Sequence, residues 1–112
     1  MVRSASHSSG TIRINSIMLG KDFTSVEIIL NKGHDYQWCN IDKNTYLSVN
    51  GRHYIMTGAN GIKIAPEKTY FNYNEQEITF TLYFLPIPTS TISMDLIEPG
   101  DSNWKFYGIK IK

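Results

Sequence analysis

Strict alternation of apolar and polar side chains between Glu77 and Phe84 constrains the fold of this chain more than any other feature. Ile78, Phe80, Leu82 and Phe84 occupy every second position of that segment. Successive side chains of a β-strand point to opposite faces of its sheet, so the pattern predicts a strand with one buried and one solvated face. Pro86 and Pro88 follow and cannot donate ladder hydrogen bonds, so the strand is expected to end before them.

The composition extends this strand pattern to the whole chain. Ile, Val and Thr together number 27, against three Ala, and branched side chains pack well on a pleated surface. No long segment repeats apolar residues at helical spacing. A chain of 112 residues is also long enough to bury one core without metals or disulfides. We therefore predict a single all-β domain over residues 11–112, after a Ser-rich disordered leader or linker over residues 1–10.

Local patterns within the domain predict about seven to nine short strands, the number expected of an antiparallel β-sandwich. The apolar phase shifts between Ile14 and Ile17, which predicts a bulge in the first strand. Asn50 and Gly51 separate two strand-like runs and favour a type I′ hairpin turn. Gly108 marks a second phase switch, and hence a second bulge, in the last strand.

Other segments give further expectations. Residues 25–31 and 36–41 are predicted strands, residues 58–61 a turn before a short strand with Ile62 and Ile64, and residues 67–76 a loop. In residues 91–97 the alternation predicts burial of Ile92, Met94 and Leu96. Several strands have one plainly polar face, which favours a sandwich over a closed barrel.

Charge argues against nucleic acid as a partner. The formal net charge is +1, with acidic and basic residues interspersed, whereas nucleic-acid binders show a basic stripe. No apolar run approaches the roughly 18–20 residues needed to span a bilayer. Residues 1–10 contain no hydrophobic stretch of the kind found in secretion signals.

The polar residues form no recognisable catalytic, cofactor or metal motif. The three histidines are far apart in sequence and are interpreted as surface residues: His7, His34 and His53. Residues 42–44 begin like a calcium loop but are not followed by its sixth-position Gly and twelfth-position Glu. The acidic pairs are interpreted as solvated charges: Glu75 with Glu77, and Asp95 with Glu98.

Cys39 is the only cysteine, so no internal disulfide can form. The position where a dithiol motif would have its second cysteine is occupied by Asp42, which excludes dithiol chemistry. We expect a buried, unreactive thiol.

Aromatic side chains are the strongest candidates for ligand contact. Tyr36, Trp38, Tyr70 and Tyr73 lie in or beside predicted loops, where aromatic rings can stack on sugars. Trp104 is in phase with Phe106, and a core or interface role is expected for it.

A family resemblance rests on two segments, residues 80–98 and the terminal run from Trp104 to Ile109. The first contains a Phe-Thr-Leu-Tyr-Phe strand, a Pro-Ile-Pro corner and an Asp-Leu-Ile-Glu turn. It resembles an Ig-like β-sandwich domain of secreted and envelope proteins of anaerobic gut bacteria. Such domains often precede thioredoxin-like domains. The resemblance implies an Ig-like antiparallel sandwich, an extracytoplasmic location in the periplasm or at the cell surface, and no catalytic residues within the domain.

Two hypotheses of function follow. The first is a non-enzymatic accessory or interaction module of a cell-envelope protein, in contact with a protein partner or an attached, thioredoxin-like domain. The alternative is a module that binds carbohydrate or another small ligand through Tyr36, Trp38 and the 67–76 loop. Catalysis has the least support, because no activated nucleophile or acid–base pair is visible.

Overall fold

The computed structural model describes residues 11–31, 38–70, 77–100 and 105–111, which fold as an all-β, sandwich-like domain without a helix. The strands of this part of the chain are β1 (Thr11–Leu19), β2 (Thr24–Asn31), β3 (Trp38–Cys39), β4 (Tyr46–Val49), β5 (Arg52–Asn60), β6 (Thr69–Tyr70), β7 (Glu77–Phe84), β8 (Ser93–Ile97) and β9 (Lys105–Lys110). The all-β prediction, with about seven to nine short strands, is confirmed.

The strands form two antiparallel sheets. Seven of them make the main sheet, in the order β1-β2-β7-β5-β4-β8-β9, which curls into a half-barrel with β1 and β9 at its edges. The other two, β3 and β6, form a small separate sheet. An isolated parallel bridge between Ile41 and Ile64 joins the segments that extend from this small sheet.

β7 lies inside the main sheet, between β2 and β5, and its side chains follow the predicted alternation. Phe80, Leu82 and Phe84 are fully buried, while Glu77 and Thr79 are exposed. The strand ends at Phe84, as its two following prolines predict.

The inner face of the half-barrel holds one hydrophobic core. Each inward side chain of β2 stands beside one of β7, since Val26 is in register with Leu82 and Ile28 with Phe80. Four core residues come from outside the main sheet: Cys39, Ile41, Ile62 and Ile87. The backbone N–H of Ile87 donates a 3.0 Å hydrogen bond to Oγ1 of buried Thr24, which holds the segment after β7 against the core.

The hairpin between β4 and β5 has the predicted two-residue turn. Val49 pairs with Arg52, and the turn residues Asn50 and Gly51 have φ values of 51° and 82°. Positive φ at both central positions is the type I′ geometry. The hairpin prediction is therefore confirmed.

Both predicted bulges are also present, and they lie on the two edge strands. The register of β1 against β2 shifts between Ile14 and Ser16. In β9 the register shifts opposite Asp95, where Gly108 has a φ of 64° and donates its N–H to Oδ1 of Asp95 at 2.8 Å. Glycine suits this left-handed conformation because it has no Cβ to clash with the backbone.

The predicted turn over residues 58–61 is wrong. β5 continues to Asn60, which pairs with Thr81 of β7, and a bulge between Met56 and Gly58 absorbs the irregularity. Pairing with a long central neighbour outweighs the weak strand propensity of Gly58 and Asn60. The strand expected at Ile62 and Ile64 reduces to the single bridge of Ile64.

The predicted burial of Ile92 is also wrong, although that of Met94 and Leu96 is confirmed. β8 begins at Ser93, and the Ile92 side chain is 67% exposed. The reason lies in the preceding turn, where Thr91 is buried and donates hydrogen bonds from both N and Oγ1 to the Pro88 carbonyl. Thr91 therefore occupies the inward direction before the regular strand begins.

Two glycines with positive φ allow a matched test of the packing around β5 and β7. A Cβ at Gly61 (φ 88°) would lie 3.0 Å from the Thr79 carbonyl oxygen, whereas one at Gly51 (φ 82°) would meet nothing within 4 Å. Gly51→Ala should lower the free energy of unfolding by about 1–2 kcal/mol, the cost of a left-handed alanine. Gly61→Ala should cost about 1–3 kcal/mol more, because the backbone of β7 must also shift. Urea denaturation measures both, and equal losses would contradict this account of the contact.

Candidate functional site

The two-stranded sheet brings together two of the predicted ligand-binding aromatics. Trp38 in β3 stands directly opposite Tyr70 in β6, and Cys39 stands opposite Thr69. Directly opposed residues share a face and their neighbours take the other, so the two rings are on one side of the sheet. Cys39 is fully buried in the core, and Tyr70 is 65% exposed, so the aromatic side is the outer one. The predicted burial of Cys39 is confirmed.

We call the outer face formed by Trp38, Tyr70 and Lys68 the aromatic face. Lys68 immediately precedes β6, and its Nζ lies 4.5 Å from the centroid of the Trp38 ring. This is a cation–π contact, in which the ammonium is attracted to the negative face of the indole. Trp38 itself is half-buried, so the aromatic face combines one supported ring, one freely exposed ring and one positive charge.

Lys68 was missed by sequence reasoning because β6 lies within residues predicted to be a loop. Its spacing of two from Tyr70 would have placed both side chains on one face, had a strand been recognised there. Of the other predicted residues, Tyr36 and Tyr73 lie outside the described residues, as does Trp104. Their contribution to ligand contact stays a prediction.

The segment that carries Lys68 is fixed to the fold by hydrogen bonds on the other side of β6. The backbone N–H of Lys63 donates to Oγ1 of Thr69 at 2.8 Å, and Nδ2 of buried Asn40 donates to the Glu67 carbonyl at 2.9 Å. Next to β6 is an open cleft lined by Asn60, Gly61, Lys63, Glu67 and Thr69. The segment beneath the aromatic face is therefore held by hydrogen bonds that do not involve the side chains of Trp38, Lys68 or Tyr70.

The segment predicted to resemble the start of a calcium loop is a capped turn. The N–H of Asn44 donates to Oδ1 of Asp42 at 2.7 Å, and both N and Oγ1 of Thr45 donate to the Asp42 carbonyl. Asp42 thus uses its carboxylate to close its own turn. Across the described ranges, no three His, Cys, Asp or Glu side chains are grouped as metal ligands.

Glu98 corrects the interpretation of the acidic pairs as solvated charges. Its side chain is fully buried, and its Oε2 accepts a 2.8 Å hydrogen bond from the backbone N–H of Asp42. The alternation of β8 continues past its end, so Glu98 shares the inward face with Met94 and Leu96. The residue therefore links the end of β8 to the Asp42 turn and has a structural role.

His53 is one of three histidines predicted to lie on the surface, and it is exposed on the β4–β5 hairpin. Its ring stacks on Tyr46, the centroids being 4.1 Å apart. His7 and His34 lie outside the described residues.

A second surface feature is an exposed group of apolar residues on the outer face of the main sheet. Met18, Phe23 and Tyr83 line one groove, and the rings of Phe23 and Tyr83 meet edge to face at 5.5 Å. Leu85 lies just beyond β7 and donates its N–H to the Ile55 carbonyl, which places it beside Ile55. We call these five residues the outer apolar band. Ile55 and Met18 are its most exposed members, at 56% and 59%.

Comparison with protein-family models, with curated proteins and with solved structures finds no match to the chain. In the described ranges no helix has both the length and the apolar character needed to cross a bilayer.

The buried position of Glu98 predicts a clear order of stability among three variants. Glu98→Ala should lower the free energy of unfolding by about 1–3 kcal/mol, because the Asp42 N–H loses its acceptor. Glu98→Gln keeps an acceptor oxygen and should lose less. Glu77→Ala, which removes an exposed carboxylate 4.0 Å from Arg13, should change the value by about 0.5 kcal/mol or less. Thermal and urea unfolding test the order, and a Glu98→Ala variant as stable as Glu77→Ala would contradict the role of Glu98.

Proposed function

We propose that this chain is a non-enzymatic β-sandwich interaction module of a bacterial cell-envelope protein, working by contact with a protein partner or an attached domain. The observation that carries the proposal is the outer apolar band. Large contiguous apolar patches on the surface of a protein often mark interaction sites, and aromatic residues and Met are enriched in protein interfaces. The band has both kinds of residue and lies on the outer face of the main sheet.

The finer parts of the proposal rest on the sequence resemblance. The resemblance carried by residues 80–98 and 104–109 implies an Ig-like fold, an extracytoplasmic setting and a thioredoxin-like neighbouring domain. The antiparallel, sandwich-like architecture fits the fold part of this resemblance. The intact mass of the native protein in its source cell tests whether this chain is one module of a longer protein. A mass well above 12.8 kDa would reveal an attached domain.

Site-specific photo-crosslinking in the source cell tests the contact surface. A photoreactive phenylalanine analogue at Ile55 should give a discrete crosslinked product, because Ile55 lies in the band and is exposed. The same analogue at Arg52 is the matched control, since Arg52 is exposed on the same hairpin but outside the band. Equal products at both positions, or none at Ile55, would contradict a specific interface there.

Carbohydrate binding is the second candidate function, and the opposed pair Trp38 and Tyr70 favours it. Two aromatic rings on the outer side of a sheet provide flat apolar surfaces for the C–H face of a sugar ring. The segment that carries Tyr70 is tied to the fold by the hydrogen bonds of Glu67 and Thr69, so the backbone beneath this ring is positioned by the fold. Such preorganisation lowers the entropic cost of binding.

Trp38→Ala separates a binding role from a core role. Trp38 is only half-buried, so its loss should cost about 1–2 kcal/mol of stability, less than the roughly 3–5 kcal/mol of a buried aromatic. In the chain with Trp104→Phe, the fluorescence of Trp38 should shift when a glycan of a test panel binds. In Trp38→Ala, binding of the same glycan, measured by calorimetry, should be abolished. An unchanged spectrum with every glycan would exclude carbohydrate binding through Trp38.

A further inference from the structure

The charge on the aromatic face indicates what kind of sugar it fits. Nζ of Lys68 lies over the Trp38 ring, 4.5 Å from its centroid. A neutral sugar that stacked on this face of the ring would have to displace the ammonium, and the cation–π contact would be lost without a replacement from the sugar. A sugar that carries an anionic group can take the ring surface and pair with the ammonium at the same time.

The neighbouring acidic side chain belongs to a different surface. Glu67 and Thr69 alternate with Lys68 and Tyr70, and both line the separate cleft beside Gly61. Lys68 is exposed, and it is the charged side chain that the described residues place against the Trp38 ring. The aromatic face is thus positive, with one cation for two rings.

We infer that the aromatic face binds a uronic acid residue of an acidic glycan, with Lys68 as the residue that pairs with the carboxylate. The inference rests on the carbohydrate-binding role proposed above and adds the class of sugar. One carboxylate per sugar ring matches one ammonium beside the aromatic pair. Densely sulfated glycans and single-stranded nucleic acids require several cations along the chain. The net charge of +1, and the one lysine that the described residues place against the Trp38 ring, do not provide them.

The test compares one oligosaccharide with and without its charge. Isothermal titration calorimetry on the full 112-residue chain would use oligogalacturonate, its fully methyl-esterified form and an oligothymidylate as probes. The acid form should bind at least about tenfold more tightly than the ester, corresponding to the loss of one charge-assisted pair. Raising the salt concentration should weaken the acid form and leave the ester unaffected.

Variants of two exposed lysines identify the cation. Lys68→Gln removes the charge at similar length and should reduce acid binding about tenfold, to the level of the ester. Lys21→Gln removes the same net charge from the turn between β1 and β2 and should leave binding unchanged. Thermal unfolding of both variants confirms that each is folded, as expected for exposed positions.

The outcomes distinguish a failure of this inference from a failure of the carbohydrate-binding role on which it rests. If acid and ester bind equally and Lys68→Gln has no effect while Trp38→Ala abolishes binding, the carbohydrate role stands and the choice of an acidic sugar is overturned. If neither saccharide binds but another glycan of the panel does, the inference of a uronic acid ligand is overturned. If no glycan of the panel binds, the carbohydrate role itself fails. Tighter binding of oligothymidylate would overturn the inference in favour of a nucleic-acid ligand.

Discussion

Burial of the inner face of β7 is the constraint from which the rest of this structure follows. Phe80, Leu82 and Phe84 point to one side of a strand flanked on both edges by other strands. Fully burying side chains of this size contributes roughly 1.5–3 kcal/mol each, which a flat sheet open on one side could not provide. The sheet curls around this face, and the remaining opening receives Cys39, Ile41, Ile62 and Ile87 from the connecting segments.

The same arrangement separates stability from recognition. The small sheet contributes Cys39 to the core from one side and displays Trp38 and Tyr70 on the other. Its connection to the fold runs through backbone groups, such as the bonds from Ile41 N to the Lys63 carbonyl and from Ala65 N to the Ile41 carbonyl. The exposed side chains of the aromatic face, Lys68 and Tyr70, can therefore change with little effect on the packing that keeps the chain folded.

The features that could be predicted from the sequence are those decided within a few residues. The alternation of β7, the positive φ values of the Asn50–Gly51 turn and the bulge at Gly108 each follow from local geometry. Trp38 could be identified as a candidate ligand-binding residue because it lies beside a predicted turn, where an aromatic ring can be exposed. The location of Tyr70 beside it was not predictable, because β6 contains two residues and exists only through pairing with β3. The burial of Glu98 and the exposure of Ile92 could not be predicted from local sequence either. Glu98 is held by a hydrogen bond from the backbone N–H of Asp42, which is distant in sequence. Ile92 is exposed because the neighbouring Thr91 is the residue that points inward.

The bulges on β1 and β9 have a consequence for how this chain behaves at high concentration. The outermost strands of an open sheet present unpaired N–H and carbonyl groups, which makes them templates for cross-β growth. Here each outermost strand is interrupted in register, at Ile14–Ser16 on one side and at Gly108 on the other. Lys105 and Lys110 add positive charge to β9. The interrupted edges and the lysines of β9 therefore disfavour growth through the open rims of the half-barrel, while its apolar and aromatic surfaces stay exposed.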